Sequence, residues 1–520
     1  MGQSWWSLSG AMGVPCLLVG DLRRAAEYYR EVLGFDVVEP LGDPTTAVLA
    51  RRAEGAVLLQ LAPDDEEGFS HREFADRAWD ALFLVDDIGR VASQLRSRRA
   101  NIEFGIGITE VSDRTLEVRD EWGNILAFAA TYDGLRPAVR QLVERTVPGS
   151  VRTAWRNHRF AREERPELAA FQRFYQRLES KRAPVYMYFT TGLLHWVIAA
   201  ERHVPADVNL VLIGSGLSAV EQRWIRENLA RPFHNIALEV DDNTVWEFLF
   251  ATNQFDFAYM DIDCFVLEPA VFADMMRFPR DAAVNAIWTY EAAPGTPIGC
   301  THFVAINVEA ARDLRRRGRY MSPTNYDWDG SMVHTLHHRT YCRVPTPRQT
   351  RLLLQVLPAD ERGRPLPPGD SPFFDTLVAY QIAAATAGYR TNPVRPMAHR
   401  TQATFAEQNA SDERVWQQDM TDELLHVGGI SYYGRVFHAS DLRRLYLSAE
   451  HTLLSGSVDR LPTPYADRLR TISRRLEHLG VDPGDAAKLI FHHLVSDRGL
   501  AVRTAERVLA QPAPDLPAGA

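Results

Sequence analysis

The sequence predicts an α/β protein with several domains: an N-terminal domain of paired βαβββ units, a central α/β domain, and a helical C-terminal region. Three observations predict this class. The first 135 residues repeat one pattern of strand, helix and further strands; the middle alternates strands with helices; the last part has helical periodicity. With 520 residues, 46% of them apolar, the chain has room for about two to four packed domains.

Composition and charge exclude several classes of protein. A net charge of -9 and a pI near 6.0 argue against nonspecific binding to nucleic acid or to anionic membranes. The four cysteines, Cys16, Cys264, Cys300 and Cys342, show neither close pairing nor metal-type spacing. The N-terminal MGQSWWSLSG has no leader pattern, and no segment approaches the length of a membrane span. We therefore expect a protein of the reducing cytoplasm that binds neither nucleic acid nor membranes.

The first repeat opens with a strand over Val14 to Val19. Asp21 is a plausible N-cap for the helix DLRRAAEYYREVL, and Gly34 ends that helix before a second strand. The second repeat has the same order: strand Ala81 to Val85, N-cap Asp87, helix IGRVASQLRSR, strand Arg114 to Arg119, a turn over Asp120 to Asn124, and strand Ile125 to Ala129.

These two repeats resemble the vicinal oxygen chelate superfamily, which includes glyoxalases and bleomycin-resistance proteins. The segments DLRRAAEYYREVLGF, VDDIGRVASQL and RDEWGNILAF carry the resemblance over about a quarter of the chain. Family enzymes hold a metal on histidines and a glutamate, but Val14, Asp80 and Ala127 occupy those places here. The resemblance thus implies a binding domain without catalytic metal, like the drug-sequestering members. A homodimer through its sheet edges is the alternative.

The remaining chain divides by pattern. Polar, arginine-rich helical sequence, including Pro166 to Leu178, precedes an alternation of strands and helices. The strands are predicted over Val185 to Thr190, Val208 to Ile213 and Ile236 to Val240, with helices over Thr191 to Glu201 and from Ser218, where Glu221 completes a capping box. The predicted domains are 1–135, a helical connector over 136–180, an α/β domain over 181–435, and a helical region over 436–520 with a disordered tail.

The acidic sequence Asp261-Ile262-Asp263 follows an apolar strand, Phe255 to Met260. Aspartates at i and i+2 point to opposite faces within a strand, but at its end the backbone turns and both oxygens can reach one hard cation. Such a site is typical of nucleotide chemistry. Because the D-x-D pattern is common by chance, a solvated surface turn is the alternative.

Several segments in order resemble the GT-A glycosyltransferases, which move a sugar from a nucleotide diphosphate to an acceptor. The segments are VYMYFT, VNLVLIGSG, FAYMDIDCFV, CTHFVAINV, SPFFDTLVAYQIAAATAGYR and LLHVGGISYYGR. The resemblance covers about half of the chain. It implies a Rossmann-like fold, a metal ligand at Asp263, and contact of Asp261 with the ribose, the metal or a metal-bound water. His426 matches the late metal-ligand histidine, which favours Mn²⁺ over Mg²⁺; a buried core histidine is the alternative.

The segment after His426 contains small residues and an arginine. Gly428, Gly429 and Ser431 permit close backbone approach to a phosphate, and Arg435 can fork onto it. A flexible turn is the alternative for this run.

Candidate acceptor and nucleotide residues follow from position. Asp375, before an apolar helix, is the first candidate for a catalytic base, although it is equally typical of an N-cap; Asp370, in a Pro-Gly-rich loop, is the second. Aromatic and acidic residues in NYDWDGS (Tyr326, Asp327, Trp328, Asp329) can line a sugar pocket or form an exposed loop. The ends of two strands supply further nucleotide candidates, namely Phe189, Thr190, Thr191, Asp241, Asp242 and Asn243.

The sequence therefore predicts a metal-dependent, nucleotide-sugar glycosyltransferase with a small-molecule acceptor, such as a specialised metabolite. A nucleotidyl or phosphoryl transferase is a weaker alternative because no G-K-[ST] phosphate loop is present. A ligand-sequestering protein with a non-catalytic second domain is the alternative from another class. Metal-dependent nucleotide binding separates it from the transferase.

Overall fold

The structure is a computed structural model. It describes residues 14–38, 47–53, 55–61, 79–85, 87–107, 115–130, 149–238, 240, 242–328, 342–368, 373–395, 399–400, 419–428, 443–478, 480–481, 489–490 and 498–510. The chain divides into two compact units: the first comprises 1–141 and 438–440, the second 142–437 and 441–520.

The first unit contains the predicted repeat. Its strands and helices are, in order, β1 (Cys16–Val19), α1 (Leu22–Glu31), β2 (Asp36–Val38), β3 (Ala47–Arg52), β4 (Gly55–Leu61), β5 (Ala81–Val85), α2 (Ile88–Ser97), β6 (Ile102–Gly107), β7 (Thr115–Arg119) and β8 (Ile125–Ala130). The sheet orders β1-β4-β3-β2 and β5-β8-β7-β6 are equivalent. In each, the first and fourth strands pair in parallel and the others are antiparallel. The prediction of paired βαβββ units is confirmed.

Local capping explains where these helices begin and end. Asp21 accepts a hydrogen bond from the Arg24 N–H at 3.0 Å, and Asp87 accepts one from Arg90 at 2.9 Å, so both predicted N-caps are confirmed. Gly34 has φ +74° just after α1, a left-handed conformation that glycine adopts without steric cost.

The second unit is built on a seven-stranded sheet with the order β11-β10-β9-β12-β17-β14-β20. The strand bounds are β9 (Val185–Thr190), β10 (Leu210–Ser215), β11 (Phe233–Ile236), β12 (Phe257–Asp261), β14 (Ala282–Ala286), β17 (Phe303–Ile306) and β20 (Arg390–Pro393). Neighbours pair in parallel except around β17, which is antiparallel to β12 and β14. The largely parallel α/β sheet is as predicted.

Smaller sheets complete this unit. They comprise β13 (Cys264–Val266), β15 (Thr289–Ala293), β16 (Thr296–Gly299), β18 (Asn325–Tyr326), β19 (Cys342–Arg343), β21 (His399–Arg400), β22 (Asp419–Met420) and β23 (Leu424–His426). The pairings are β15 with β16, β18 with β19, and a four-stranded sheet β13-β23-β22-β21.

Helices cover both faces of the large sheet. They are α3 (Gly149–Arg177), α4 (Leu194–Glu201), α5 (Ala219–Asn228), α6 (Asp242–Thr252), α7 (Ala270–Met275), α8 (Val308–Arg316), α9 (Pro347–Leu353), α10 (Val378–Ala385), α11 (Arg443–Ser455), α12 (Thr463–His478) and α13 (Arg498–Leu509). Strand β9 is buried on both faces: Met187 and Phe189 face one core, Tyr186 and Tyr188 the other.

The C-terminal helices pack directly on the sheet domain. Leu453 of α11, Tyr465 of α12 and Val508 of α13 share one hydrophobic core with Met187 and Phe189 of β9. In the sequence region predicted as a connector, Phe171 and Tyr175 of α3 pack into the core on the opposite face. Among the described residues, no helix is long and apolar enough to cross a membrane.

Two local predictions were wrong, and one alternative is excluded. The strand predicted at Ile236 to Val240 lies earlier, at the edge strand β11, because pairing with β10 outweighs the apolar alternation of the later residues. Helix α4 begins at Leu194 and not at Thr191, after Gly192 with φ +81°. Asp375 does not cap α10, since that helix begins at Val378 and has no side-chain cap.

Candidate metal centre

Strand β12 ends at Asp261 and carries the first acidic side chain to the carboxyl edge of the sheet. The main-chain N–H of Asp261 donates to the carbonyl of His302 at 2.8 Å, which holds the strand end in place. A two-residue turn at Ile262-Asp263 then leads into β13. Because the direction changes at this turn, the two carboxylates no longer need to point to opposite faces.

Antiparallel pairing of β13 with β23 adds the histidine. Cys264 lies opposite His426 in the register, and the Val427 N–H donates to the carbonyl of Asp263 at 3.0 Å. The pairing therefore places His426, which is distant in sequence, beside the acidic turn.

The three side chains form a compact cluster. The Nε2 atom of His426 lies 3.8 Å from Oδ1 of Asp263 and 4.0 Å from Oδ2 of Asp261, and one ligand atom from each residue lies within 4.8 Å of the other two. Asp263 and His426 are 5% and 11% exposed, whereas Asp261 is 35% exposed. Asp263 and His426 thus form the buried part of the cluster, and Asp261 lies on the side that is open to a ligand.

The electrostatics of this cluster suit a cation. Burial, and then the negative charge of Asp263, raise the pKa of the Asp261 carboxyl, while His426 and a hydrogen bond from Tyr259 lower it. Two carboxylates this close repel each other, and a divalent ion between them would relieve that repulsion. Two hard oxygen donors with one imidazole fit Mn²⁺ or Mg²⁺. The assignment of Asp261, Asp263 and His426 as ligands stays a prediction.

Aromatic residues support the histidine. The rings of His426 and His302 stack at 4.1 Å with an interplanar angle of 10°, and Trp288 lies 5.1 Å from His302 on ring centroids. These contacts restrict the orientation of the His426 ring. Sequence reasoning missed His302 and Trp288 because no local signal marks them. It also missed Tyr259, although period-two alternation puts that residue on the same strand face as Asp261.

The cluster lies beside the point where the strand order reverses. From β9 the chain adds β10 and β11 on one side, and then places β12 on the other side of β9. In open α/β sheets ligands bind outside the carboxyl ends of the strands at such a point. The strands that flank it end at Thr190 and Asp261.

The predicted nucleotide residues at the end of β9 and at the start of α6 differ in how far their side chains are available to a ligand. The side chains of Phe189 and Thr190 are buried, and Phe189 lies in the hydrophobic core, so its side chain is not available to a ligand. Thr191 is half-buried, and its hydroxyl donates to Glu221 at 2.6 Å. Asp242 and Asn243 lie at the start of α6, where Asn243 accepts from the Asn325 N–H at 3.0 Å.

Asp375 lies in a strained segment. Its side chain is exposed, yet surrounding protein atoms desolvate the carboxyl and raise its pKa, while hydrogen bonds from Thr376 lower it. Two residues later, the fully buried Leu377 has φ +66°, a conformation that a leucine adopts only under constraint. The raised pKa suits a general base.

A cavity of about 880 Å³ lies in the second unit between α3, α6 and the segments around β18 and β19. Tyr326, one of the residues predicted to line a sugar pocket, lines this cavity, whereas Asp327 and Trp328 are not among its walls. The main chain of Tyr326 pairs with Phe374, next to Asp375, through hydrogen bonds of 2.8 and 3.0 Å.

Six predicted residues lie outside the described residues: Asp241, Asp329, Asp370, Gly429, Ser431 and Arg435. Gly428 is described and has φ +83°, a left-handed conformation that suits glycine.

Comparison with known families finds a match in part of each unit. Residues 161–311 match the family described as StrH glycosyltransferase N-terminal domain. Residues 12–128 match the Glyoxalase/Bleomycin resistance protein/Dioxygenase superfamily. The chain combines a glyoxalase/bleomycin-resistance domain with a StrH glycosyltransferase-like domain. Asp261 and Asp263 lie within the StrH match, and His426 lies beyond it.

One relative is the dTDP-dihydrostreptose--streptidine-6-phosphate dihydrostreptosyltransferase of Streptomyces griseus. It is 28% identical over 297 residues, which cover 51% of this chain and 72% of the relative. The bleomycin-binding protein of Streptomyces verticillus in complex with copper(II)-bleomycin is 20% identical, with 24% of this chain and 98% of that chain covered and a TM-score of 0.18. For TioX of Micromonospora sp. ML1 the identity is 17%, the coverages are 23% and 95%, and the TM-score is 0.18.

Proposed function

We propose that the second unit is a metal-dependent GT-A glycosyltransferase that moves a sugar from a nucleotide diphosphate to a small-molecule acceptor. The cluster of Asp261, Asp263 and His426 at the carboxyl edge of the sheet carries this proposal. Its position next to the reversal of strand order supports nucleotide binding, and the StrH match supports sugar transfer.

The residues of the cluster fit a resident divalent ion. Asp261, Asp263 and His426 would hold it, and the bound ion would supply Lewis acidity that neutralises the diphosphate leaving group. Tyr259, through its hydrogen bond, favours the ionised form of Asp261. The stacked ring of His302 restricts His426 to the orientation that faces both carboxylates.

The relative suggests which donor to test first. Its name specifies a dTDP-linked sugar and a phosphorylated acceptor, and we propose a dTDP-sugar as the first donor to test here. Asp375 is our candidate for the base that takes the proton of the acceptor hydroxyl. Its exposed side chain, which an acceptor hydroxyl can reach, supports that role.

For the first unit we propose small-molecule binding without metal catalysis. Its superfamily match includes bleomycin-resistance proteins. Two positions where the family enzymes carry metal ligands hold Val14 and Ala127, which have no donor atom.

The test is thermal unfolding of the full chain with dTDP, UDP, GDP or ADP, each with and without Mn²⁺. Wild type, Asp263→Asn and the surface control Asp281→Asn should be compared, because Asp281 is exposed and forms its ion pair with the exposed Arg390. We expect one nucleotide to raise the Tm only with Mn²⁺, in wild type and control but not in Asp263→Asn. A response to none of the nucleotides would instead favour the ligand-sequestering alternative.

A further inference from the structure

The helix beside the candidate nucleotide site has no N-cap of its own. Helix α4 begins at Leu194 after β9, and its N-cap residue, Leu193, makes no side-chain cap hydrogen bond. Free N–H groups at a helix start require acceptors when they are buried. The Leu194 N–H finds its acceptor in the hydroxyl of Tyr465, at 3.1 Å, on helix α12 of the C-terminal region. The cap is therefore supplied from far along the chain.

One buried carboxylate connects this cap to the loop that follows β9. Glu221 is 4% exposed and accepts hydrogen bonds from three places in the fold. Its Oε1 atom accepts from the Gly192 N–H at 2.7 Å and from the Tyr465 hydroxyl at 2.7 Å. Its Oε2 atom accepts from the Thr191 hydroxyl at 2.6 Å and from the N–H and hydroxyl of Ser218 at 3.0 and 2.8 Å.

These bonds exceed what a capping box needs. The box requires only the reciprocal contacts between Ser218 and Glu221, which are both present. The contacts with Thr191, Gly192 and Tyr465 are additional, and all of them converge on the loop at the end of β9. Hydrogen bonds from Thr191, Gly192 and Tyr465 to one buried side chain restrain this loop from several directions.

A second buried group fixes the helix that carries Tyr465. The Arg468 guanidinium on α12 pairs with Glu450 on α11, and Nε2 of His195 on α4 lies 3.1 Å from Glu450 Oε1. The His195 ring also contacts Tyr465, with ring centroids 5.8 Å apart and an interplanar angle of 67°. Helices α4, α11 and α12 are thus locked together next to Glu221.

We propose that Glu221 and Tyr465 are positioning residues that hold the loop from Thr191 to Leu194 in the conformation that receives the donor nucleotide. This rests on the proposed function, because the loop lies at the reversal of strand order where the nucleotide is expected. The C-terminal helices then take part in donor binding without contacting the donor. Thr191 serves the site through loop geometry, since its hydroxyl is engaged by Glu221.

The test uses Tyr465→Phe and Glu221→Gln in the full chain. The control is Tyr175→Phe, because Tyr175 is equally buried and its hydroxyl also accepts a main-chain N–H, that of Gln254 at 3.2 Å. Amide hydrogen exchange would be followed at Gly192 and Leu194. The affinity for dTDP with Mn²⁺, and the KM values for donor and acceptor, would be measured in parallel.

We expect faster exchange at Leu194 in Tyr465→Phe and at Gly192 in Glu221→Gln. We also expect roughly tenfold weaker dTDP binding and a higher donor KM in both variants, with an unchanged acceptor KM. The control should lose comparable stability but keep wild-type exchange and affinity. If Tyr465 is merely structural, exchange and dTDP affinity should change equally in Tyr465→Phe and in the control, which would overturn the proposal. Wild-type affinity in Tyr465→Phe would also overturn it.

A failure of the proposed function itself gives a different result. If wild type binds none of the nucleotides, the transferase proposal fails. Amide hydrogen exchange alone then tests whether Glu221 and Tyr465 hold the loop from Thr191 to Leu194. Unchanged protection of Leu194 in Tyr465→Phe would overturn it, and selective loss of that protection would support it.

Discussion

Each unit contains a carboxylate with a raised pKa, but the surroundings of the two carboxylates differ. In the first unit, burial raises the pKa of Asp120 to about 6, against four hydrogen bonds that lower it. These come from the Tyr29 hydroxyl, the N–H groups of Trp122 and Asn124, and the Asn124 amide, at 2.8 to 2.9 Å. In the second unit, Asp261 faces another carboxylate and a histidine.

The difference separates a structural carboxylate from a candidate ligand. Asp120 has every donor it needs, and Asn124 also donates to the Leu18 carbonyl at 2.9 Å, so this network joins the two βαβββ repeats. Asp261 and Asp263 instead concentrate negative charge with one open side. Burial is the largest cause of the raised pKa of both Asp120 and Asp261, and what distinguishes Asp261 is the additional like charge of Asp263 beside it.

The largest effect is expected at the candidate metal centre, where a substitution tests whether its carboxylates differ in function from Asp120. Asp263→Asn should lower transfer activity roughly a thousandfold, because the lost carboxylate weakens metal binding and leaves the diphosphate charge uncompensated. The Tm of the metal-free protein should not fall, since the substitution removes a repulsion. Activity assays and calorimetry check both statements, with Asp281→Asn as the control. Activity within tenfold of wild type would rule out Asp263 as a ligand.

The reverse result is expected in the first unit. Asp120→Asn should lower the free energy of unfolding of that unit by about 3 kcal/mol, because an amide cannot accept from all four buried donors. Nucleotide affinity should be unchanged. Scanning calorimetry measures the first quantity and titration the second; Asp87→Asn is the control, since asparagine also caps helices. Loss of nucleotide affinity in Asp120→Asn would contradict the structural assignment.

A third carboxylate, Glu450, is expected to make the stability of the second unit depend on pH. Burial raises the pKa of Glu450, but Arg468 and His195 outweigh that effect and lower it to about 2, from 4.5. Because the unfolded chain binds this proton more readily, the stabilisation is present above about pH 4.5 and is lost as the pH falls toward 2. The expected loss is on the order of 2 to 3 kcal/mol.

Denaturant titrations of wild type and Glu450→Gln between pH 2 and 6 measure this loss. The variant should be less stable at pH 6, because Arg468 loses its partner, and its stability should depend less on pH in the acid range. If the free energy of unfolding changes equally with pH in both proteins, carboxylates other than Glu450 cause the acid sensitivity.

The smallest effect is expected for an exposed carboxylate that only caps a helix. Asp21→Ala should cost about 1 kcal/mol, because the Arg24 N–H loses its acceptor, whereas Asp21→Ser should keep most of the stability. Thermal unfolding of the pair checks this. If Asp21→Ala lowers the free energy of unfolding as much as Asp120→Asn does, the distinction between buried and exposed acceptors is wrong.

The sequence alone determined the local features. The periodicity of the two repeats, the N-caps Asp21 and Asp87, and the capping box of Ser218 and Glu221 were all predicted, because each depends on residues within a few positions. The end of strand β12 at the acidic pair was also readable from its apolar run.

Tertiary structure decided the rest. A family resemblance pointed to His426, but only the pairing of β13 with β23 brings it to Asp263. The hydrogen bond from Tyr465 to Glu221 forms because the C-terminal helices pack beside this carboxylate. The position of β11 and the left-handed Leu377 likewise follow from pairing and packing that local propensity cannot override. Contacts between distant segments depend on how whole elements fit together, and local spacing does not encode that fit.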